Sequence, residues 1–343
     1  MSHEDRVAGT LLGTALGDAL GLATEGLSAR RIARRFGRIE GFRLLGRTGF
    51  VSDDTELSAL IAQSLIQEPT DAERCARAFR RSLLGWCCRL PWGAGRATLK
   101  AGLRIGLVIT PSGVMSAGNG AAMRAAVIGS FFHERLESRN LFGRALAETT
   151  HCDPRAVEGA LYVAELAAAS VRGQGSASRE DVQAQARRIV TIDALGLAVD
   201  EAAELARLEV DTQAAASRCK TTGFVVHSVA FATFGFLRYG QDPKLALTEV
   251  IGAGGDTDSI AAILGAWLGA YHGVSGLPAD LIARIHDGPF GPTHLRALAH
   301  ALSRLQDGEP AEAPRYSPAR AFARNLALFP VILGHGFRRL LPF

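Results

Sequence analysis

The stretch GAGGDTDSIAAILGAWLGA, residues 252–270, sets two aspartates one residue apart in a glycine-rich turn and follows them with a strongly apolar segment. Charges beside a core are costly unless something pairs with them. Asp256 and Asp258 must therefore be holding something. The segment itself reads as a helix: Gly265, Gly269 and Gly273 fall four apart, and so do Gly9, Gly13, Gly17 and Gly21 near the N-terminus. Glycine costs a helix interior about 1 kcal/mol relative to alanine. A stripe of it on one face therefore points to tight helix–helix packing that draws helix ends together in a buried middle.

The rest of the chain supports an all-α fold. Alanine and leucine dominate, and apolar residues recur at three and four over residues 56–66, 121–132, 156–169, 181–190 and 224–237. Alternating runs of valine, isoleucine and threonine are scarce. The 343 residues are 48% hydrophobic and 21% charged, which suits a soluble globular protein, and no Pro/Ser-rich linker divides them. From Ala311 onward a proline-containing coil is expected, then a short helix (RAFARNLALFPVIL) and a basic, apolar end. This tail, 311–343, is expected to cover the same domain that residues 1–310 form.

Net charge is +4, with arginines scattered along helical faces as at Arg30, Arg31, Arg34 and Arg35. That pattern argues for a solvated basic surface rather than a nucleic-acid groove, while leaving mild attraction to anionic substrates. The five cysteines are odd in number and lack metal-ligand spacing, so reduced thiols in the cytoplasm are expected. The N-terminus has early acids and no cleavage-like site, and Asp18 interrupts its apolar run. Neither a signal peptide nor a membrane partner is expected. Nothing resembles a dimer zipper, and a monomer is expected.

A second turn, GFVSDDTELS (49–58), repeats the puzzle of the first. Asp53 and Glu56 match a capping box, yet Asp54 adds an adjacent charge just before an apolar helix. Asp18 in GDALG and Glu25 in ATEG complete an acidic set: Glu25, Asp53, Asp54, Asp256 and Asp258, with hydroxyls at Ser52, Thr55, Thr257 and Ser259. Five converging carboxylates need neutralising. Carboxylates and hydroxyls suit hard divalent cations better than zinc, so two Mg²⁺ or Mn²⁺ ions are the leading reading. A third turn, SAGNGAAMR (116–124), flanks Asn119 with glycines before a helical pattern, which would aim backbone N–H groups at an anion. LPWGAGRATLKAG (90–102) is a further glycine turn entering a helix. His151 in TTHCDPRA reads either as a pocket residue or as a polar group flanking a helix.

Taken in order, GDALG with Glu25, SDDTE, SAGNGAAMR, THCDP and GGDTDSIAAILGA resemble the ADP-ribosylglycohydrolase family, from about Val7 to Gly273. That family includes the dinitrogenase reductase-activating glycohydrolase and the ADP-ribosyl-acceptor hydrolases. The resemblance implies a compact all-α domain with a dinuclear Mg²⁺ or Mn²⁺ cleft. Ser52, Asp53 and Asp54 match its first ligand group, and Asp256, Asp258 and Ser259 its second. Glu25 matches the acid of a mobile loop, and Asp18 matches a supporting GD pair. Ser116, Gly118, Asn119 and Gly120 resemble the diphosphate cradle, and His151 a residue lining the ADP-ribose pocket. Glu25, Asp54 and Asp258 are the implied catalytic set.

Two positions depart from the family pattern. Ser259 replaces the commoner threonine and keeps the hydroxyl. Gly93 stands where members acting on ADP-ribosyl-arginine often carry aspartate, which puts arginine specificity in question. The implied activity is hydrolysis of the bond between ADP-ribose C1″ and an acceptor on an ADP-ribosylated protein. One alternative is a free derivative such as O-acetyl-ADP-ribose, and another a catalytically silent ADP-ribose-binding module. A two-metal phosphohydrolase ranks below these, because it gives no reason for the GNG loop.

Overall fold

The computed structural model describes residues 2–173 and 176–340, with side chains through Phe337. Among them are seventeen α-helices, two 3-10 turns and no strand beyond isolated bridges. The all-α expectation is met.

The core is organised by one helix pair, His3–Gly21 and Thr257–His272. They run antiparallel, with Gly9 against Gly269, Gly13 against Gly265, Gly17 against Ala261 and Gly21 against Thr257. At each crossing a Cβ on the first helix would fall inside the carbonyl oxygen of the second. The two stripes read in the sequence are thus the two halves of one seam. Both helices are buried along nearly their whole length. Residues 3–24 are long and apolar enough by composition to cross a membrane, but their apolar stretch is buried inside the protein.

Because the seam is antiparallel, the C-terminal end of the first helix, and the turn after it, sit beside the N-terminus of the second. Backbone hydrogen bonds lock that junction: Gly26 N donates to Gly255 O at 2.7 Å and Gly255 N to Leu27 O at 2.8 Å. The Thr257 hydroxyl donates to Gly21 O at 2.9 Å.

A third helix, Asp53–Gln67, is fixed to this pair by Asp18. The Asp18 carboxylate is fully buried and accepts from the Ser52 backbone N–H (2.8 Å), the Ser52 hydroxyl (2.7 Å), the Thr55 backbone N–H (3.2 Å) and the Thr55 hydroxyl (2.5 Å). The cap of this helix therefore comes from another element, and the capping-box reading of Asp53 with Glu56 does not hold. Glu56 instead accepts from Trp86 Nε1 at 2.7 Å and pairs with Arg324. Burial outweighs four hydrogen bonds at Asp18 and pushes its carboxyl up to about 6.

Two sequence-based boundaries shift. The helix expected over 121–132 is present only as Ala126–Phe131, because residues 119–124 are wound into tight turns. The Arg124 guanidinium reaches back to the Gly120 carbonyl there and holds the loop closed. The short C-terminal helix is longer than expected, Pro318–Leu340, and runs through Pro330. Pro330 lies on the exposed side, where the carbonyl left without an N–H partner can face water.

The C-terminal helix is fastened by more than contact area. Arg324 pairs with Glu56 and donates to Pro289 O at 3.0 Å, and Asn325 Nδ2 donates to Arg89 O at 2.8 Å. Both partners of the Arg324–Glu56 pair are buried. Removing one leaves the other as an uncompensated buried charge, which costs on the order of 3–5 kcal/mol. Arg324→Ala is therefore expected to lower the unfolding free energy by that amount in urea titration. Arg324→Ala with Glu56→Gln is expected to recover much of it.

Candidate functional site

Three helix ends meet in one place. The turn after the first helix carries Glu25; the N-terminus of Asp53–Gln67 carries Ser52, Asp53 and Asp54; the N-terminus of Thr257–His272 carries Asp256, Asp258 and Ser259. Two helix N-termini point their positive ends at the cluster, which favours carboxylates there. One oxygen from each of Glu25, Asp256 and Asp258 lies within 4.8 Å of the others.

Burial and mutual repulsion act strongly on this group. Desolvation holds Asp53, Asp54 and Asp258 well above the usual carboxylate range, and neighbouring carboxylates add to it. For Asp258 those neighbours are Glu25, Asp256, Asp54 and Asp18 in that order. Burial also raises Asp256. Few contacts repay these costs. Ser259 N donates to Asp258 Oδ1 at 3.0 Å, and the Ser259 hydroxyl lies 3.4 Å from Asp54 Oδ2. Asp54 Oδ1 is buried with no hydrogen-bond partner at all.

An orphaned carboxylate oxygen among crowded acids is a group that a cation would satisfy. The donor set is all oxygen, and it fits a hard divalent ion. Ser52 suits the same purpose, since its hydroxyl proton is committed to Asp18 and its lone pairs remain.

A cavity of about 620 Å³ opens over the acids, within the range of small-molecule sites. Of the residues singled out in the sequence, Glu25, Asp53, Asp256, Asp258, Ser259, Ser116, Gly118, Asn119, Gly120 and His151 line it. Ser52 and Asp54 do not; both are buried. Asn119 joins the two halves of the site. Its amide donates to Asp256 Oδ2 at 2.6 Å and to the Ser228 hydroxyl at 3.0 Å, so it orients a carboxylate as well as forming the loop.

His151 is set beside the loop by backbone pairing of Val114 with residues 150 and 152. The Arg124 guanidinium donates to the Thr150 hydroxyl at 2.7 Å, and that hydroxyl lies 2.8 Å from His151 Nδ1. The other acceptor in reach of the Thr150 proton, Ala147 O, is 3.5 Å away, too long for a good hydrogen bond. Thr150 therefore donates to Nδ1, and Nε2 carries the ring proton. A Cβ at Gly118 or Gly120 would come within 3.5 or 3.3 Å of that Nε2. The imidazole thus presents a donor to the loop and its ligand.

Burial, with Arg124 adding to it, pushes His151 down to about 3. It stays neutral in the fold while the unfolded chain takes up a proton near pH 6.5. A depressed histidine makes stability fall as pH drops from about 6.5 toward 3. His151→Gln is expected to lose less stability than wild type between neutral pH and pH 4, measured by thermal melting across pH.

One arm of the site was not singled out in the sequence. Thr221, Thr222 and Gly223 line the cavity beside the GNG loop, with which this segment pairs. Thr221 O accepts from Asp256 N at 2.7 Å, and Gly223 O accepts from Asn119 N at 3.0 Å. The only local signal is KTTGF before an apolar helix, an ordinary turn until its partners are known. Arg96 and Thr98, at the start of the helix Arg96–Gly106, also line the cavity.

Gly93 has a positive φ of 76°, and a Cβ there would strike Asp53 Oδ1. An aspartate at this position has no room unless Asp53 moves.

Comparison with known proteins agrees with this architecture. The family model for ADP-ribosylglycohydrolase matches residues 1–312. An uncharacterized protein of Archaeoglobus fulgidus is 32% identical over 277 residues, covering 78% of this chain and 88% of its own. ADP-ribosylhydrolase ARH3 of Homo sapiens is 28% identical over 267 residues, covering 67% of this chain and 72% of its own. A solved structure described as an ADP-ribosylglycohydrolase-related protein complex superposes with a TM-score of 0.70 at 27% identity, covering 88% of this chain and 98% of that one. The chain belongs to the ADP-ribosylglycohydrolase family.

Proposed function

We propose that the protein is a metal-dependent hydrolase that cleaves the glycosidic bond between C1″ of ADP-ribose and an acceptor, on an ADP-ribosylated protein side chain. Family membership supports a general glycohydrolase activity. The observation that carries the finer reading is the acidic cluster with its orphaned Asp54 oxygen, opening on a cavity that also holds the GNG loop.

Ser52, Asp53, Asp54, Asp256, Asp258 and Ser259 would hold two Mg²⁺ or Mn²⁺ ions. When bound, the ions supply Lewis acidity and orient the ribose hydroxyls. The remaining work falls to the chain. Backbone N–H groups of Gly118 and Gly120, with Ser116 and the Nε2–H of His151, hold the diphosphate. The first helix and its turn set Glu25 over Asp256 and Asp258, where it takes the proton from the attacking water. Cleavage of the C1″–acceptor bond passes through an oxocarbenium-like state, as in glycoside hydrolysis generally. The carboxylates of Asp54 and Asp258 stabilise that positive charge. The acceptor leaves with a proton, and water supplies the new hydroxyl on C1″.

The Gly93 turn, pressed on Asp53, favours an acceptor other than the arginine guanidinium. The test is release of ADP-ribose from matched arginine-, serine- and acetyl-linked substrates. Turnover is expected on an oxygen-linked member of the set and at least about tenfold slower on the arginine linkage. Preferential release from arginine would refute the acceptor assignment. Tight ADP-ribose binding with no release from any linkage would refute hydrolysis and leave a binding module.

A further inference from the structure

The C-terminal helix Pro318–Leu340 lies outside the family match, which ends at residue 312. Its inner face is committed. Ala321, Asn325 and Leu328 are buried, Val331 and Ile332 pack on Leu22, Ala23 and Leu44, and His335 Nε2 lies 3.1 Å from Leu44 O. Its outer face is unusual for a surface helix. Phe322, Leu326, Phe329, Leu333 and Phe337 are 39 to 67% exposed and follow one another at four, three, four and four residues. They form one continuous apolar stripe about 22 Å long at 1.5 Å per residue. The inner face is pinned to the protein, so the stripe cannot turn inward.

Charge selects the occupant. From Ala313 to Phe343 the sequence has no Asp or Glu, while Arg315, Arg320, Arg324, Arg338 and Arg339 are basic. Arg324 is spent on Glu56. The others place positive charge in the sequence before and after the stripe. Pairing with a second copy of the helix would therefore bring like charges together in either direction, one basic end against the other when antiparallel and each against its own counterpart when parallel. An anionic lipid surface has the opposite sign and accepts aromatic and leucine side chains to a depth of about 5–10 Å. We propose that this helix docks the protein on an anionic membrane surface, its outer apolar stripe in the interface and the net positive charge of the segment favouring anionic lipid. The helix lies along the bilayer in this arrangement and does not cross it.

The test is cosedimentation of the full chain with phosphatidylcholine vesicles, with and without phosphatidylserine, and needs no enzymatic readout. Binding is expected to be at least about tenfold stronger to the anionic vesicles and to weaken with salt. Leu326→Glu with Phe329→Glu is expected to reduce it at least about tenfold, with unchanged circular dichroism because both positions are exposed. Arg320→Glu, which leaves the stripe intact, is expected to weaken binding to the anionic vesicles alone. Three results would overturn the proposal: no binding to either vesicle, equal binding by the double variant, or a wild-type dimer by light scattering that the double variant converts to monomer.

Discussion

Asp258→Asn is expected to abolish ADP-ribose release while leaving the fold intact. Asp258 is nearly enclosed, its carboxylate is crowded by Glu25, Asp256 and Asp54, and one of its oxygens lies within 4.8 Å of an oxygen of Glu25 and of Asp256. Loss of a residue that merely supports a metal ligand costs about 10–100-fold, so losing a ligand itself should exceed about 100-fold. Stability should respond differently. In the metal-free protein the substitution removes one charge from a mutually repelling set, so melting should occur at the same temperature or slightly higher. Wild type should gain about 2.7 kcal/mol when Mn²⁺ is present at about a hundred times its dissociation constant, and the variant should lose most of that gain. Lost activity together with retained metal-free stability is the signature of a ligand. A fall in both would make Asp258 a structural residue.

Gly13→Ala is expected to destabilise the protein by about 3 kcal/mol or more, although alanine is the better helix former by about 1 kcal/mol. A Cβ at Gly13 would overlap the backbone carbonyl of Gly265, which no rotamer change relieves. The seam must open, and the cost lies at or beyond the upper end of ordinary overpacking, about 1–3 kcal/mol. Gly85 supplies the control. It lies in the helix Ala72–Cys87, and a Cβ there would meet nothing within 4 Å. Gly85→Ala should therefore stabilise by up to about 1 kcal/mol. Opposite signs for the same substitution, measured by urea titration, would establish that the stripe exists for close approach. A mild effect at Gly13 would mean that the helices can separate freely.

The seam and the acids were legible because each leaves a trace within one segment: glycines at helical spacing, or two aspartates where a helix needs at most one. The partners were not legible. Asp18 caps a helix 34 residues further on, Glu56 is consumed by Trp86 and by Arg324, 268 residues away, and Asn119 reaches Asp256 across 137 residues. Each is a single polar group whose local spacing admits a simpler explanation, as the capping-box reading of Glu56 illustrates. Thr221–Gly223 was overlooked for the same reason, since its contribution is made by backbone carbonyls that side-chain identity does not encode. The turn at 119–124 escaped because the side chain that holds it, Arg124, looks like any helical arginine until its burial is seen. The family resemblance carried the ligand assignments further than spacing alone, and it left the acceptor open at Gly93.

The most direct test of the central claim is ADP-ribose release followed continuously on one sample as EDTA is added and Mn²⁺ is then restored in excess. Release is expected to stop with the chelator and to return with the metal, at unchanged helical content. Release that continues undiminished in EDTA would contradict a metal role for the acidic cluster.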